Sequence, residues 1–307
     1  MNRSHLLAAF VLSLVAIESR AGSAEARCLE TAPGECVQVT ISGEGPDVVL
    51  IPGLFGSAFA FRQITPLLTT AGYRTIVIEP LGVGHSARPR EADYTLTAQA
   101  DRLHKALELL SVKEAILVSH SIGTSMALRL AQRHPRRVRA VLSLEGGAAE
   151  EVSTPGFRRA MMLTPLLKLF GGQRLIRGKV RGMLVERSAN TAWVTDQIVA
   201  GYTEGPARDM DATLDALKRM SRARESEALA PRLPEVQCPV RLLLGAAPHP
   251  GGPSEAEIQT LRQGLRSFSV AHIPGSGHFL FEEAPQAVVN AVVEMSRVPS
   301  TVRGVEN

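Results

Sequence analysis

The sequence is poor in aromatic residues, which make up 4% of its 307 residues and include a single tryptophan. Its formal net charge is only +4, and its basic residues form no concentrated stripe interleaved with aromatics. Nucleic-acid-binding surfaces usually combine a basic stripe with aromatic stacking residues. The composition therefore argues against a nucleic-acid partner, while a hydrophobic content of 45% suffices for a large core.

Long apolar runs are absent beyond the N-terminus. Arg3 precedes an apolar stretch from Leu6 to Ile17, and the small-residue run Ala21–Ala26 follows. A basic start, a short apolar core and small residues near a cleavage point are typical of a secretory signal peptide. The stretch is too short for a comfortable membrane span. Residues 1–26 thus predict an exported protein, periplasmic or secreted, without a stable span; a retained anchor or a wrongly assigned start is the alternative.

Only three cysteines are present. Cys28 and Cys36 flank the turn signal Ala32–Gly34, so we expect them to face each other across a hairpin, where an oxidising compartment favours a disulfide. Cys238 is left over, just before the apolar segment Val240–Leu244, and is expected to be a buried, inert thiol. A cysteine nucleophile there would need a nearby base, and none is evident.

One apolar run stops abruptly at a serine. Ile116–Val118 leads into Ser119–Gly123, which predicts a buried parallel strand, a tight turn with Ser121 at its apex, and a helix from about Ile122 to His134. Such an elbow exposes the hydroxyl and points the N–H groups of a helix start at any negative charge forming beside it. Ser119 replaces the first glycine of the usual G-x-S-x-G pattern, and a simple helix N-cap is the alternative interpretation.

Strand patterns alternate with helical patterns through most of the chain, which predicts a mostly parallel, doubly wound α/β sheet with helices on both faces. The predicted strands are Val37–Ser42, Val48–Ile51, Arg74–Glu79, Ile116–Val118, Val138–Leu144, Val240–Leu244 and Phe268–Ile273.

The strand rhythm is interrupted from about residue 151 to residue 233. This interval indicates several helices, broken at Gly171-Gly172 and at Gly205-Pro206. We therefore predict a helical cap over residues 151–233, inserted between two parts of one core. Those parts are residues 27–150 and 234–298, with a loose tail at residues 299–307.

A serine becomes a nucleophile only when a base accepts its proton, an acid orients that base, and N–H groups stabilise the oxyanion. His278 is the predicted base, because a glycine-rich loop places it after the last strand, at the same sheet edge as Ser121. His85 and His249 lie on loops and are weaker alternatives. His120, next to the nucleophile, is expected to shape the pocket.

Taken together, the strand order, the elbow, the cap and the histidine loop resemble the α/β-hydrolase superfamily. The resemblance runs from about Val37 to Arg297, and its most specific segments are Ser119–Gly123, Gly82–Pro89 and Gly275–His278. It implies the capped α/β-hydrolase fold of a serine hydrolase or esterase.

The same resemblance implies an oxyanion hole made of two backbone N–H groups. They belong to Ile122, which follows the nucleophile, and to Leu54, in the loop after the third strand. The family often has His-Gly where this chain has Pro52-Gly53. That difference keeps the backbone donor and removes a side chain that tethers the loop.

The expected acid is missing from its usual place. The family places an aspartate after the strand that corresponds to Val240–Leu244, but no aspartate occurs after Asp215. Some relatives, such as haloalkane dehalogenases, carry the acid at the end of the strand that follows the nucleophile helix, where this chain has Glu145. The resemblance thus implies Glu145 as the orienting acid. Glu255 is an alternative, and Glu145 as a solvated loop residue is another.

The resemblance implies a hydrolase for a small-molecule carboxylic ester with a small or medium, largely apolar acyl group, needing neither a cofactor nor a metal. Dehalogenases attack carbon with an aspartate, whereas a serine at position 121 favours an acyl carbon. Hydrolysis of carbon–carbon, amide or lactone bonds and perhydrolysis are alternatives on the same site. A ligand-binding protein with a vestigial site is the alternative from another class, supported by the missing aspartate.

Two patterns stand out within the predicted cap. Its basic segment, Lys168–Arg181, suits a solvated helix face better than a site for an anionic substrate or for membrane headgroups. Several of its apolar residues could line an acyl pocket, although at least half are expected to be ordinary core. They are Met161, Met162, Leu163, Leu166, Leu167, Phe170 and Trp193.

Overall fold

A computed structural model describes residues 24–152, 155–162 and 173–298, and eight strands of this part form one sheet. They are β1 (Glu25–Ala32), β2 (Glu35–Ser42), β3 (Asp47–Ile51), β4 (Arg74–Ile78), β5 (Ala115–His120), β6 (Val138–Leu144), β7 (Val240–Gly245) and β8 (Phe268–Ile273). Their order is β1-β2-β4-β3-β5-β6-β7-β8. Only the pairs β1–β2 and β2–β4 are antiparallel, so the predicted mostly parallel sheet is confirmed.

Helices cover both faces of the sheet. The α-helices in the described segments are α1 (Ile64–Thr70), α2 (Leu96–Leu109), α3 (Gly123–Arg133), α4 (Pro155–Met162), α5 (Gln173–Glu186), α6 (Asp196–Arg208), α7 (Met210–Met220), α8 (Glu255–Gly264), α9 (Leu280–Glu283) and α10 (Pro285–Ser296). Short 3-10 helices span Ala58–Phe61, Pro135–Arg137 and Ala230–Glu235. Apolar residues of α2 and α3 fill one core, and those of α1 and α10 fill the core on the opposite face.

The strand β5 lies at the centre of this arrangement, between β3 and β6. Its six residues are all buried. Successive side chains point to opposite faces, so Leu117 packs into the core of α2 and α3, while Ile116 and Val118 pack into the other core. This is why the sequence shows a continuous apolar run here and not an alternation.

The expected N-terminal hairpin is present, and its first strand, β1, has no apolar pattern in the sequence. Most residues of β1 are exposed, so the strand has no apolar alternation and is formed by its pairing with β2. Cys28 and Cys36 are joined in a disulfide across this hairpin, with their Cα atoms 5.6 Å apart. Cys238 is buried, and burial raises the pKa of its thiol to about 12.

Two expectations about the chain ends fall largely outside the described residues. The signal segment, residues 1–26, is described only from residue 24, and Glu25 already belongs to β1. The tail, residues 299–307, is not among the described residues. Every helix within the described segments is too short or too polar to span a bilayer.

Within its described residues, the interval from residue 151 to residue 233 contains helices joined by loops and no strand, but one expected break is displaced. Helix α6 continues through Gly205 and Pro206 and ends at Arg208; Asp209 then caps α7 by accepting from the Ala212 amide. The helix thus extends only two residues beyond Pro206. Gly205 is needed for close approach, since a Cβ there would come within 2.6 Å of the Gly84 carbonyl oxygen. The other expected break, Gly171-Gly172, lies outside the described residues.

A buried arginine joins both ends of this helical interval to the core. The Arg129 side chain is 3% exposed; its Nη2 lies 2.7 Å from Glu150 Oε2 and its Nε lies 3.6 Å from Glu225 Oε2. Glu150 also accepts from the Leu229 amide, and Glu225 accepts from the Leu96 amide at the start of α2. One guanidinium therefore holds the entry and the exit of the cap together.

Replacing Arg129 tests this connection. We expect Arg129→Met to lower the free energy of unfolding by about 3 kcal/mol, because it leaves two carboxylates without their cation. Arg133→Met is the matched control one turn further along α3. Arg133 pairs with Asp101 at 40% and 45% side-chain exposure, so its loss should cost no more than about 1 kcal/mol. Urea unfolding measures both, and equal losses would contradict a special role for Arg129.

Candidate active site

A cavity of about 200 Å³ lies beyond the carboxyl ends of the central strands. Its walls include Leu54, Ser121, Ile122 and His278, from the loops that follow β3, β5 and β8. Parallel strands bring their carboxyl ends to one edge of a sheet, which is where α/β proteins place ligand sites. The structure therefore brings four of the residues selected from the sequence to a single cavity.

Ser121 stands at a tight turn between β5 and α3. Its φ is 52°, in the left-handed region that non-glycine residues rarely adopt. The Ser121 amide donates to the Leu144 carbonyl at 2.9 Å, and the Ser121 carbonyl accepts from the Thr124 amide at 3.0 Å. The turn also packs closely at Gly123, because a Cβ added there would come within 3.0 Å of the Ile51 and Pro52 carbonyl oxygens. The structure thus contains the strand-to-helix elbow that the sequence predicts.

Ser119, which replaces a glycine of the usual pattern, has its own buried role. Its Oγ lies 3.1 Å from Thr124 Oγ1, which in turn lies 2.9 Å from Ser143 Oγ. Ser143 donates to the Gly146 carbonyl at 2.9 Å. This chain of hydroxyl groups connects the elbow to the loop that carries Glu145, so the serine adds a link and leaves the turn intact.

Two backbone N–H groups next to the elbow are available for a ligand. Among the described residues, neither the Ile122 amide nor the Leu54 amide has a hydrogen-bond acceptor, and both residues line the cavity. Gly53 lets the Leu54 loop approach closely, since a Cβ there would lie 3.3 Å from the Ser121 Cβ and 3.0 Å from His120 Nδ1. The replacement of His-Gly by Pro52-Gly53 therefore keeps this approach.

His278 is held through its backbone. Its amide donates to the Arg187 carbonyl at 2.8 Å, and its carbonyl accepts from His120 Nε2 at 3.1 Å. Its Nδ1 lies 3.9 Å from Glu145 Oε2 and has no hydrogen-bond partner among the described residues. Burial lowers the pKa of His278, and the Glu145 carboxylate opposes part of that decrease.

Glu145 occupies the end of β6 in an unusual backbone conformation, with a φ of 56°. It is 2% exposed, so the alternative of a solvated loop residue is wrong. Its amide donates to the Leu243 carbonyl at 3.0 Å, and its Oε1 accepts from the Gly245 amide. Glu255, the other candidate acid, is exposed at the start of α8 and accepts from Gln259.

His249 lies beside Glu145, which the sequence did not indicate. Its Nε2 is 3.0 Å from Glu145 Oε2, and its Nδ1 is 2.7 Å from the Ala247 carbonyl oxygen. A carbonyl only accepts, so Nδ1 carries a proton and a neutral ring would turn its Nε2 lone pair toward the carboxylate. The contact therefore requires a proton or another cation between the two groups.

Glu145, His249 and His278 also form a set of possible metal ligands. Their donor atoms all lie within 4.8 Å of one another. A carboxylate and two imidazoles make a donor set that suits Zn²⁺. A second proton on His249 meets the same electrostatic requirement.

Two further histidines were considered in the sequence, His120 and His85, and both have structural contacts. His120 is buried, its ring centroid lies 4.7 Å from that of His278, and it contributes to the cavity wall. Burial holds its pKa well below the ordinary value, so the ring is neutral at pH 7. His85 pairs with Glu79 through a contact of 3.4 Å and does not line the cavity.

A second, mostly apolar cavity of about 480 Å³ adjoins the first. Both cavities are lined by Leu54, Phe55, Met183 and Tyr202. Met161 is buried against the second cavity. The two spaces thus share walls formed by the cap and by the Leu54 loop.

The other cap residues selected from the sequence differ in their exposure and contacts. Met162 is 69% exposed, and Trp193 packs against Phe279 and Tyr202. Four of the apolar candidates and Lys168 lie outside the described residues; the apolar ones are Leu163, Leu166, Leu167 and Phe170. The basic side chains Arg174, Arg177 and Lys179 are exposed, as a solvated helix face requires, and Arg181 pairs with Asp196.

Sequence reasoning missed the two polar cap residues that line the first cavity among the described residues, Arg187 and Tyr202. Tyr202 donates to Glu282 Oε1 at 2.6 Å, and Arg62 Nη2 lies 2.7 Å from Glu282 Oε2. Neither cap residue belongs to a motif, and Arg187 is one of many arginines in this interval. No signal in the sequence alone separates them from their neighbours.

Comparisons with known proteins agree on the fold. Residues 46–187 match a family model described as the alpha/beta hydrolase fold. An uncharacterized hydrolase of Bacillus subtilis, YugF, is 26% identical over 255 residues, which cover 80% of this chain and 88% of that protein. The crystal structure of Cfl2 from Burkholderia cenocepacia superposes with a TM-score of 0.72 at 23% identity, covering 89% of this chain and 95% of that one.

The similarity to two mammalian proteins is confined to part of their length. The bifunctional epoxide hydrolase 2 of Rattus norvegicus is 32% identical over 113 residues, or 36% of this chain. The match spans only 20% of the rat protein, and the same holds for the pig protein of that name.

Proposed function

We propose that the chain, which has the α/β-hydrolase fold, is a serine hydrolase of carboxylic esters. One observation carries the proposal. A single cavity contains Ser121 on a strained elbow, the buried imidazole of His278, and the amides of Leu54 and Ile122, which have no acceptor among the described residues. These are a nucleophile, a base and an oxyanion hole, the three parts that acyl transfer requires.

In the proposed mechanism, Ser121 Oγ attacks the ester carbonyl while His278 Nε2 accepts its proton. The Leu54 and Ile122 amides donate to the oxyanion that forms on the carbonyl oxygen. His278 then protonates the departing alcohol, and an acyl group remains on Ser121. Water, deprotonated by His278, releases the acid. Glu145 stabilises the imidazolium in both halves of the reaction.

The nucleophile itself favours acyl substrates over epoxides and haloalkanes. Attack by a serine oxygen on an epoxide or alkyl carbon would give an ether, which has no carbonyl for water to attack, so turnover would stop. Attack on an acyl carbon gives an ester, which the same histidine can hydrolyse. The epoxide hydrolase activity in the rat protein's name is therefore not carried over to this chain.

The shape of the site supports an apolar acyl group. The second cavity adjoins the first, and its lining includes Met161, Met183 and Leu214. Amide, lactone and carbon–carbon bond hydrolysis and perhydrolysis would use the same groups, but no separate observation favours them. The buried position of Glu145 weakens the alternative of a vestigial binding protein, because that alternative was based on a missing acid.

Ester hydrolysis tests the proposal directly. We expect the purified protein to release p-nitrophenol from short and medium acyl esters, and a fluorophosphonate to label Ser121. Ser121→Ala should lose the label and lower turnover by at least about 10⁴-fold, because the nucleophile is gone. Ser119→Gly, which restores the usual motif residue, should keep the label. If the wild-type protein neither hydrolyses these esters nor is labelled, the proposal fails.

The pH dependence tests the roles of His278 and Glu145. Only neutral His278 can accept a proton, so kcat/KM should rise with pH through the pKa of this residue in the free enzyme. Burial, together with the charges of Arg187 and His249, lowers that pKa and Glu145 opposes the decrease, so the midpoint should lie below 6.5.

Glu145→Gln should move the midpoint to still lower pH and reduce turnover by roughly 10³–10⁴-fold, since the carboxylate no longer stabilises the imidazolium. A wild-type midpoint above 6.5, or a Glu145→Gln variant with normal turnover, would contradict these assignments.

We also propose that the protein is exported. The pattern of residues 1–26 supports export, as does the Cys28–Cys36 disulfide, because such bonds persist in oxidising compartments. Sequencing the N-terminus of the protein recovered from the periplasm or the medium should show that the apolar stretch has been removed. Recovery only from the cytoplasm, with that stretch intact, would refute export.

A further inference from the structure

Arg187 brings a positive charge to the cavity that contains the proposed nucleophile. It directly follows α5 and lines the cavity together with Ser121 and His278. No aspartate or glutamate of the described residues lies within ion-pair distance of its guanidinium, and its Nε is buried without a hydrogen-bond partner there. The guanidinium therefore has no ion-pair partner among the described residues, and the charge of neighbouring Glu186 opposes only part of the effect of burial on its pKa.

The other walls of the cavity offer no compensation for this charge. No aspartate or glutamate is among the described residues that line it, and no other lysine or arginine is either. Two buried carboxylates lie behind the walls, and both already have partners. Glu145 contacts His249 and the Gly245 amide, and Glu282 contacts Arg62 and Tyr202.

Leaving this guanidinium unpaired is electrostatically unfavourable. Burial lowers the pKa of Arg187, and the Glu186 carboxylate opposes part of that decrease. An arginine nevertheless stays protonated at neutral pH. The same charge lowers the pKa of both His278 and His120. A bound anion would relieve these costs, because a partly buried cation gains most from a paired acceptor.

The position of Arg187 is fixed relative to the proposed base. Its carbonyl oxygen accepts from the His278 amide at 2.8 Å. Gly251 packs against the guanidinium, since a Cβ there would come within 2.9 Å of Nη1. An anion bound by Arg187 would consequently lie in the same cavity as the group that deprotonates Ser121.

We propose that Arg187 is a specificity residue that binds a carboxylate of the substrate, so that the preferred substrate is an ester bearing a second, ionised carboxyl group. This inference rests on the proposed function and narrows it. The planar guanidinium matches a carboxylate through two parallel hydrogen bonds. The apolar part of such an amphipathic ester fits the second cavity, and its charged part fits the first.

A matched pair of esters tests the proposal. Mono-p-nitrophenyl glutarate carries a terminal carboxylate, and p-nitrophenyl glutaramate replaces it with a neutral amide of the same size. For the wild-type protein, kcat/KM should be at least tenfold higher for the glutarate ester, mainly through a lower KM, because a charge-assisted hydrogen bond is lost in the amide.

Variants test whether the Arg187 side chain causes the preference for the charged ester. Arg187→Gln should bring the ratio of the two kcat/KM values close to one, and Arg187→Lys should restore part of it. Arg177→Gln, an exposed position on α5, should keep the wild-type ratio. Circular dichroism checks that each variant is folded. A wild-type ratio near one, or a preference that survives in Arg187→Gln, overturns the inference.

A binding measurement separates this inference from the proposed function. Calorimetric titration with glutarate needs no turnover, and Arg187→Gln should bind it at least tenfold more weakly than the wild-type protein. If neither ester is hydrolysed, the ester hydrolase proposal fails and the titration alone decides whether Arg187 binds carboxylates. Equal affinity of the two proteins for glutarate, or no binding to either, overturns the inference.

Discussion

The site depends on parallel pairing of the central strands up to their last residues. The ladder between β5 and β6 ends with His120 opposite Leu144, and the next hydrogen bond, from the Ser121 amide to the Leu144 carbonyl, extends it into the elbow. The amide of Glu145 extends the β6–β7 ladder in the same way by donating to Leu243. Both residues then adopt a left-handed conformation. The same backbone conformation at the ends of two neighbouring strands thus positions Ser121 and Glu145.

The fold was largely predictable because its signals are local. Most predicted strands agree with the structure to within two residues, since each is an apolar run bounded by turn residues. Apolar periodicity did not indicate the exposed strand β1, which is formed by pairing with β2 and was expected only as an arm of the cysteine hairpin. The break expected at Gly205-Pro206 lies at Asp209, because α6 continues for two residues beyond the proline. Loops that follow parallel strands reach one edge, so the convergence of Ser121 and His278 on one cavity could also be anticipated.

The surroundings of those residues could not be anticipated. His249 reaches Glu145 across 104 positions of sequence, and its loop has no pattern that specifies such a contact. In the structure Glu145 Oε2 lies closer to His249 than to His278, at 3.0 Å against 3.9 Å. The carboxylate thus contacts His249 at hydrogen-bond distance and His278 only at a longer distance, an arrangement that residue identity alone does not specify.

The hydrogen bond from the His278 amide to the Arg187 carbonyl has a consequence for how this architecture diversifies. Arg129 gathers both ends of the cap at one point of the core, which would let cap sequences be exchanged as a module. The hydrogen bond to His278 limits such an exchange, because the residue that directly follows α5 supports the loop that carries His278. A cap transplanted from a relative must therefore supply its own acceptor for this amide, and new pockets arise more readily from changes in the helices on either side of residue 187.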